Sequence, residues 1–135
     1  MKKDIKNRRD IELLIKRFYE KVKADEVIGA IFTVVFRVNW EKHLPIMFDF
    51  WENTLFFTGT YAGNPMQIHK RIHGIFPLEE KHFQRWVSLF NTTVDELFEG
   101  EKALLAKQRA ISISTVMKLK LLSRNIEQES TFNKN

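Results

Sequence analysis

Apolar residues recur at helical spacing along most of this chain, and that periodicity limits what it can fold into. The first stretch follows the i, i+3, i+4, i+7 pattern of an amphipathic helix, at Ile11, Leu14, Ile15, Phe18, Tyr19 and Val22. Glycine and proline, which interrupt such patterns, number only five and three in 135 residues. We therefore predict an all-α protein with a single domain over residues 1–135, large enough to bury about two-thirds of its unfolded surface.

The pattern predicts six helices. They are expected from Asp10 as N-cap, at 25–32, at 40–56 with Asn39 as N-cap, from Pro65 after the N-cap Asn64 to Gly74, from Pro77 to near Gly100, and from Glu101 to about Arg124. Residues 33–38 are interpreted as a connecting segment, and Pro45 is expected to kink or restart its helix. The sequence ISIS, at 111–114, is interpreted as helical because strong helix formers flank it. Residues 1–9 are predicted to be a basic extension and 126–135 a polar, frayed tail.

The net charge of +5 is concentrated at one end of the chain. Residues 1–24 carry nine Lys/Arg and four Asp/Glu, whereas residues 25–135 carry thirteen of each sign. Because a protein that binds duplex nucleic acid needs a basic face on its folded surface, nucleic-acid binding is a secondary interpretation. It is kept as an alternative, in which a cofactor-free helical module uses its basic N-terminus to bind nucleic acid or an acidic partner.

The start of the chain does not follow the pattern of a signal peptide. Five of the seven residues at positions 4–10 are charged, where an apolar run should follow the first lysines. No run approaches the ~18 apolar residues of a membrane span. We therefore expect a cytoplasmic protein that does not enter a membrane.

The chain contains no cysteine. Disulfides, thiolate zinc sites, iron–sulfur clusters and covalent haem attachment are therefore excluded, and any metal must be bound by histidine or carboxylate. Aromatic residues are abundant, with 12 Phe, 3 Trp and 2 Tyr. They either fill a crowded core or line a cavity for a flat, apolar ligand.

Three of the four histidines lie within residues 64–86, and two of them, His69 and His73, share one helical face. A two-histidine metal site on that face remains an alternative, although a zinc site needs further ligands. Glu79 and His82 form half of a di-iron motif, but no second E-x-x-H accompanies them. Haem needs only one neutral imidazole, an apolar slot and a few polar groups on the other side of the iron.

Several short motifs occur in an order that indicates a known family. They are RFYEKV at 17–22, IF at 31–32, WEKH at 40–43, FDFW at 48–51, NPMQIH at 64–69, and HFQRW with LF within 82–90. With these motifs the chain resembles the truncated haemoglobins, and within them the third group, over roughly residues 11–122. The resemblance implies a shortened globin fold in which two antiparallel helix pairs cross around haem b.

The resemblance also implies roles for individual residues. His69 matches the histidine that ligates the iron, whereas Tyr19, His43 and Trp86 match side chains that face the bound gas. The residues that match haem contacts are Phe32, His43, Met47, Phe50, His69, Ile72, Phe76, Phe83 and Trp86. His73 is a competing ligand, one turn beyond His69.

Most of these residues also have a structural interpretation. His69 alone would be a partly buried histidine that closes a short helix, and His43 a solvated residue at a helix start. His73 and His82 are interpreted as surface or haem-edge residues. The remaining alternatives are core packing for Tyr19, Trp86, Met47 and Phe50, and a solvated face instead of haem propionates for Lys70 and Arg71.

The implied function is binding of O2, or of NO or CO, at a histidine-ligated haem iron. Donors such as Tyr19 and Trp86 would slow O2 release, which suits NO/O2 redox chemistry or sensing better than bulk oxygen transport. The sequence does not choose between an NO dioxygenase-like and a peroxidase-like reaction. It contains no flavin or nicotinamide motif, so either reaction needs an external reductase.

Overall fold

Four α-helices and one π-helix make up the part of the chain that the computed structural model describes, which is residues 2–35, 39–59 and 78–132. These are α1 (Arg8–Ala24), the π-helix (Ile31–Val35), α2 (Trp40–Phe56), α3 (Glu80–Leu97) and α4 (Glu101–Phe132). The predicted all-α fold is confirmed over these ranges, in which no strand occurs. None of the helices, as far as they are described, is both long and apolar enough to cross a bilayer. The helix predicted from Pro65 to Gly74 lies outside the described residues.

The first helix begins at Arg8, with Asn7 rather than the predicted Asp10 as its N-cap. The Asn7 side chain accepts a hydrogen bond from the Asp10 amide at 3.0 Å, which satisfies a donor that the helix itself cannot. The Asp10 carboxylate in turn accepts from the Lys6 amide at 2.9 Å. The predicted apolar face is confirmed, because its residues Ile11, Leu14, Ile15, Phe18, Tyr19 and Val22 are all buried.

The chain turns at Asp25, directly after α1. The Asp25 carboxylate accepts hydrogen bonds from the amides of Val27 and Ile28 at 2.9 and 3.0 Å, and this starts the next helical turn. Arg85 of α3 reaches the same carboxylate, with 2.6 Å between Nη2 and Oδ1. Desolvation alone would raise the pKa of Asp25, but the hydrogen bonds from Arg85 and the two amides lower it.

A π-helix follows, at Ile31–Val35. The end predicted for the helix over 25–32 is therefore too early. The segment 33–38 was interpreted as a connection, but residues 33–35 are helical. Residues 36–38 lie outside the described residues. The Thr33 hydroxyl donates to the Gly29 carbonyl one turn back, at 3.1 Å. Through this bond a β-branched residue is held in helical backbone despite its strand-like neighbours.

The second long helix runs over Trp40–Phe56, with Asn39 in the predicted N-cap position. Asn39 contributes its backbone carbonyl rather than its side chain, accepting from the amides of Lys42 and His43 at 3.2 and 2.9 Å. The helix continues through Pro45 without the restart that was one of the two predicted outcomes. Pro45 lies near the start of the helix, where its missing amide costs a single backbone bond.

The last two helices, α3 and α4, were both predicted, and α3 buries an apolar face. Phe83, Phe90 and Val94 of α3 are buried and Val87 is half-buried. The ISIS sequence at 111–114 is helical within α4. That helix continues to Phe132, so the end predicted at about Arg124 is too early, and residues predicted as a frayed tail over 126–135 are helical as far as Phe132.

The N-terminal segment, residues 2–6, packs against the junction between α3 and α4. Ile5 is buried, and the Asp4 carboxylate accepts hydrogen bonds from two first-turn amides of α4, each at 2.9 Å. A Cβ atom on Gly100, where φ is 136°, would lie 2.6 Å from the Cγ of Asp4, so this cap requires a glycine. The predicted basic extension over 1–9 thus includes Asp4 and Ile5, which pack against the fold, and Arg8 and Arg9, which belong to α1.

Aromatic rings join the helices at the centre of the fold. α1 packs against α2 and α3, and α3 packs against α4. Trp51 of α2 stacks on Phe90 of α3, with centroids 4.6 Å apart and 20° between the planes. Phe18 of α1 meets the same Phe90 ring edge-on at 5.2 Å. Each such pair contributes ~0.5–1.5 kcal/mol beyond its buried area, so these contacts fix the relative positions of three helices.

Candidate functional site

Two of the predicted site residues, Tyr19 of α1 and His43 of α2, are in contact. The Nε2 atom of His43 lies 3.2 Å from the hydroxyl oxygen of Tyr19, and the ring centroids are 5.3 Å apart. Tyr19 is 7% exposed and His43 is half-buried, so a fully solvated His43 does not describe the structure. The two helices thus bring these two polar side chains into direct contact.

The Tyr19 hydroxyl keeps its proton at neutral pH. Burial raises the pKa of Tyr19 well above its usual value, because a phenolate would lack solvation there. A protonated phenol both donates and accepts hydrogen bonds. With the His43 proton on Nδ1, Tyr19 donates to Nε2; with the proton on Nε2, His43 donates to the Tyr19 oxygen.

Phe32 of the π-helix and Trp40 of α2 surround this pair with aromatic surface. The Tyr19 ring centroid lies 6.4 Å from that of Phe32 and 5.1 Å from that of Trp40. Trp40 also meets the His43 imidazole edge-on at 5.7 Å. In the sequence Trp40 was noted within the motif WEKH and not as a site residue, although its position three residues before His43 puts both on one helical face.

Trp86 of α3 enters the same aromatic cluster from the side of the core. It meets Phe18 edge-on at 5.7 Å and stacks on Phe90 at 5.8 Å. Phe18 is also in contact with Tyr19, at 4.9 Å, so its ring connects Trp86 to the Tyr19–His43 pair. These are packing contacts, and a hydrogen bond from the indole to a gas stays a prediction.

Three further predicted contacts lie on α2 and α3. Met47 and Phe83 are buried, and Phe50 is half-buried with its ring edge-on to Trp51 at 5.4 Å. All three are consistent with the core-packing interpretation as well as with a cofactor wall. Their contact with haem stays a prediction.

His82 is not a surface residue, which was one of its two interpretations from the sequence, and its place at the haem edge stays a prediction. It is only 8% exposed, and its Nδ1 accepts a hydrogen bond from the Glu79 amide at 2.8 Å, as one half of a capping box at the start of α3. Burial lowers the pKa of His82, and Glu79 opposes this effect. A neutral imidazole that accepts at Nδ1 carries its proton on Nε2, so neither nitrogen is available as an iron ligand. The E-x-x-H spacing thus indicated a helix cap.

The predicted iron ligand lies outside the described residues, within 60–77. The same holds for its competitor and for the neighbouring candidates, namely His69, Lys70, Arg71, Ile72, His73 and Phe76. Among the residues whose placement is described, no group of three or more His, Asp or Glu side chains could hold a metal ion. Iron ligation therefore stays a prediction from the sequence.

The chain was compared with known proteins. A protein-family model of bacterial-like globins matches residues 4–121. A group 3 truncated hemoglobin from Campylobacter jejuni is 29% identical over 118 residues, which cover 85% of this chain and 91% of that protein. The crystal structure of a group III truncated hemoglobin from Campylobacter jejuni matches with a TM-score of 0.78 at 28% identity, covering 90% of this chain and 95% of that one. The resemblance to the third group of truncated haemoglobins, and the shortened globin fold that it implied, are thereby confirmed.

Proposed function

This chain belongs to the bacterial-like globin family, whose members bind haem and a diatomic gas, and we propose that Tyr19 and His43 face the gas in its haem pocket. The observation that carries the proposal is the 3.2 Å contact between the Tyr19 hydroxyl and His43 Nε2. Phe32 and Trp40 give the pair an aromatic surround, the lining that a flat and mostly apolar cofactor requires. This aromatic lining supports haem b as the proposed cofactor.

Haem supplies the iron atom at which the gas binds. The protein supplies the hydrogen bonds that distinguish one gas from another. Bound dioxygen takes on partial negative charge, and hydrogen bonds to charged acceptors are shorter and stronger than neutral ones. Tyr19 suits this task because its buried hydroxyl keeps its proton. His43 orients that hydroxyl through Nε2, and Trp86 is proposed as a further donor on the strength of the family resemblance.

We propose His69 as the iron ligand. Asn64 and Pro65 are typical of a helix start one turn earlier, so a carbonyl of that turn could accept the Nδ1 proton and leave Nε2 for the iron. Ile72, three residues after His69, is proposed as an apolar contact of the haem ring. Phe76 and Phe83 are proposed as further apolar contacts of the ring, and Phe83 is buried in the described part of the structure.

Strong donors near the gas favour slow release. We therefore propose NO/O2 redox chemistry or sensing, in the cytoplasm, rather than bulk oxygen transport. Because the sequence has no flavin or nicotinamide motif, turnover requires electrons from a separate reductase. The alternative of a cofactor-free module with a free basic N-terminus is not favoured, since Asp4 and Ile5 are part of the packed fold.

An absorption spectrum of the purified protein, with and without dithionite and carbon monoxide, tests the proposal. We expect a strong Soret band, either as purified or after stoichiometric addition of haemin, and a shift of that band when CO binds the reduced protein. Circular dichroism recorded on the same sample establishes that the chain is folded. A folded, colourless protein that takes up no haemin would contradict the proposed function.

A further inference from the structure

Trp40 lies at a junction of three structural elements beside the proposed gas site. Its ring is in contact with Tyr19 of α1 at 5.1 Å, with Phe32 of the π-helix at 6.3 Å and with His43 of its own helix at 5.7 Å. Trp40 is half-buried, whereas Tyr19 is buried. The indole is therefore partly open to solvent and also packs on both members of the Tyr19–His43 pair, so a shift of it would change both contacts.

A lysine holds this indole from the solvent side. The Nζ atom of Lys23, in the last turn of α1, lies 4.6 Å from the centroid of the Trp40 ring. This is the geometry of a cation–π contact, in which the ammonium is attracted to the electron-rich ring face. The Lys23 backbone is fixed as well, because a Cβ atom on Gly29 would lie 2.8 Å from the Lys23 carbonyl oxygen. The ammonium thus reaches Trp40 from a backbone that is tightly packed.

We propose that Lys23 and Trp40 form a latch that closes the solvent side of the gas pocket and positions Tyr19 and His43. Trp40 acts through the two polar residues that it touches, and Lys23 acts through Trp40. The inference rests on the proposed function, since a gas must reach Tyr19 for the latch to control its entry. It adds two residues, on two helices, to those assigned from the family resemblance.

The latch has a kinetic consequence that other roles of Lys23 do not share. If gas enters only when the indole swings away, the association rate scales with the population of the open state. An exposed cation–π contact changes such a population by roughly two- to fivefold. O2 and CO carry no net charge, so electrostatic steering by Lys23 cannot produce the same change.

The first test measures CO association with the reduced, haem-loaded protein after flash photolysis. Lys23→Met should speed association roughly two- to fivefold. Lys23→Arg, which keeps a cation over the ring, should restore the rate of the unmodified protein. If Lys23→Arg and Lys23→Met have equal effects, or if neither changes the rate, the charge over the ring does not hold the latch and the proposal is wrong.

The chain offers a matched control on the same two helices. Lys16 of α1 lies over the ring of Phe48 of α2, with Nζ 5.8 Å from the centroid, and is also an exposed lysine. Lys16→Met removes a longer contact of the same kind, away from the Tyr19–His43 pair, and Arg8 remains over the Phe48 ring at 6.0 Å. It should leave CO association unchanged. An increase equal to that of Lys23→Met would mean that loosening α1 against α2 anywhere opens the pocket, and this would overturn the assignment to Trp40.

Two substitutions test Trp40 itself. Trp40→Leu should speed CO association more than Lys23→Met does, and should also speed O2 release by about tenfold as the donors lose their orientation. Trp40→Phe keeps an aromatic ring, so its rate of CO association should lie between those of Trp40→Leu and Lys23→Met. CO release should change little, whereas general damage to the pocket would alter the release of both gases. Equal acceleration of O2 release and CO release would mean that Trp40 has a packing role alone.

A readout independent of gas binding separates this proposal from the proposed function. In 15N NMR spectra, Lys23→Met should shift the indole Nε1 signal of Trp40 and the imidazole signals of His43, whereas Lys16→Met should shift neither. The comparison can be made without cofactor, so a protein that takes up no haem would contradict the proposed function while the latch is still tested. Unchanged Trp40 and His43 signals in Lys23→Met would refute the latch.

Discussion

Replacing Tyr19 by phenylalanine removes the hydroxyl that we place beside the bound gas, and it leaves the ring nearly unchanged. The ring contacts with Phe32, Trp40 and His43 are made by carbon atoms that both side chains share. The hydroxyl, in contrast, lies 3.2 Å from His43 Nε2. Tyr19→Phe therefore tests hydrogen bonding with little disturbance of packing.

The size of the effect follows from the charge on the acceptor. A hydrogen bond to a charged group is worth ~1.5–3 kcal/mol, and ~1.4 kcal/mol corresponds to a factor of about ten in a rate constant. We therefore expect O2 to leave Tyr19→Phe roughly ten to a hundred times faster. In the gas-free protein Tyr19 already has His43 as a partner, and a neutral bond of that kind is worth only ~0.5–1.5 kcal/mol. In Tyr19→Phe this bond is absent, so gas entry no longer has to break it. The factor by which O2 affinity falls should therefore be smaller than the factor by which O2 release speeds up.

Stopped-flow dissociation of O2 and of CO from the reduced protein measures the difference between the two gases. Bound CO carries little charge, so its release should change much less. Trp86→Phe is the parallel variant for the second proposed donor. His43 could replace a lost donor, so the double variants with His43→Leu are needed. Equal changes for both gases, or no change for O2 even in the double variants, would mean that these side chains only pack.

Three further predictions concern other parts of the chain. His69→Ala should abolish the five-coordinate ferrous spectrum or lose haem, whereas His73→Ala should leave both nearly unchanged; the reverse result would place the ligand one turn later. Because burial lowers the pKa of His82, the unfolded chain binds its proton more readily, so stability should fall as pH drops below about 6.5. His82→Gln should weaken that dependence in thermal unfolding at pH 7.5 and 5.5, and an unchanged pH dependence would contradict the assignment to His82. Asp4→Ala removes the cap of α4 and should cost ~0.5–2 kcal/mol in urea unfolding, whereas an unchanged midpoint would show that the N-terminal segment does not stabilise the fold.

The apolar faces of the helices could be predicted because they depend on spacing within one element. The ISIS sequence is the clearest case, since its alternation suggests a strand while its flanks favour a helix, and it is helical. Helix starts were harder to predict. Asn7 and Asp10 are both good N-cap residues, three positions apart, and the choice between them depends on where the Lys6 amide lies. That amide belongs to a segment whose position is fixed by residues far along the chain.

The N-terminal segment shows the same limit. Its excess of cations indicates a solvated extension. That interpretation rests on composition, and composition does not show which residues each side chain contacts. Asp4 is a single anion among these cations, yet it caps a helix almost a hundred residues later. Lys2 also reaches that region, by donating to the Asp95 carbonyl. A contact between residues so distant in sequence leaves no local pattern from which to predict it.

For the site, sequence spacing assigns each side chain to a face of its own helix but does not say which faces meet. His43 stands beside the apolar stripe of α2, and from the sequence alone a solvated and a pocket-lining position were equally consistent with it. The packing of α1 on α2 brings the hydroxyl of Tyr19, on the buried face of α1, to His43 Nε2, and this contact supports the proposed pocket-lining position. Trp40 was left out of the predicted site for the corresponding reason, because its proposed role depends on a contact with Lys23, which the periodicity of α1 places on the solvent side. A side chain at the boundary of an apolar face is therefore assigned by the neighbouring helix, and in this chain His43 of the proposed gas site and Trp40 of the proposed latch are such half-buried residues.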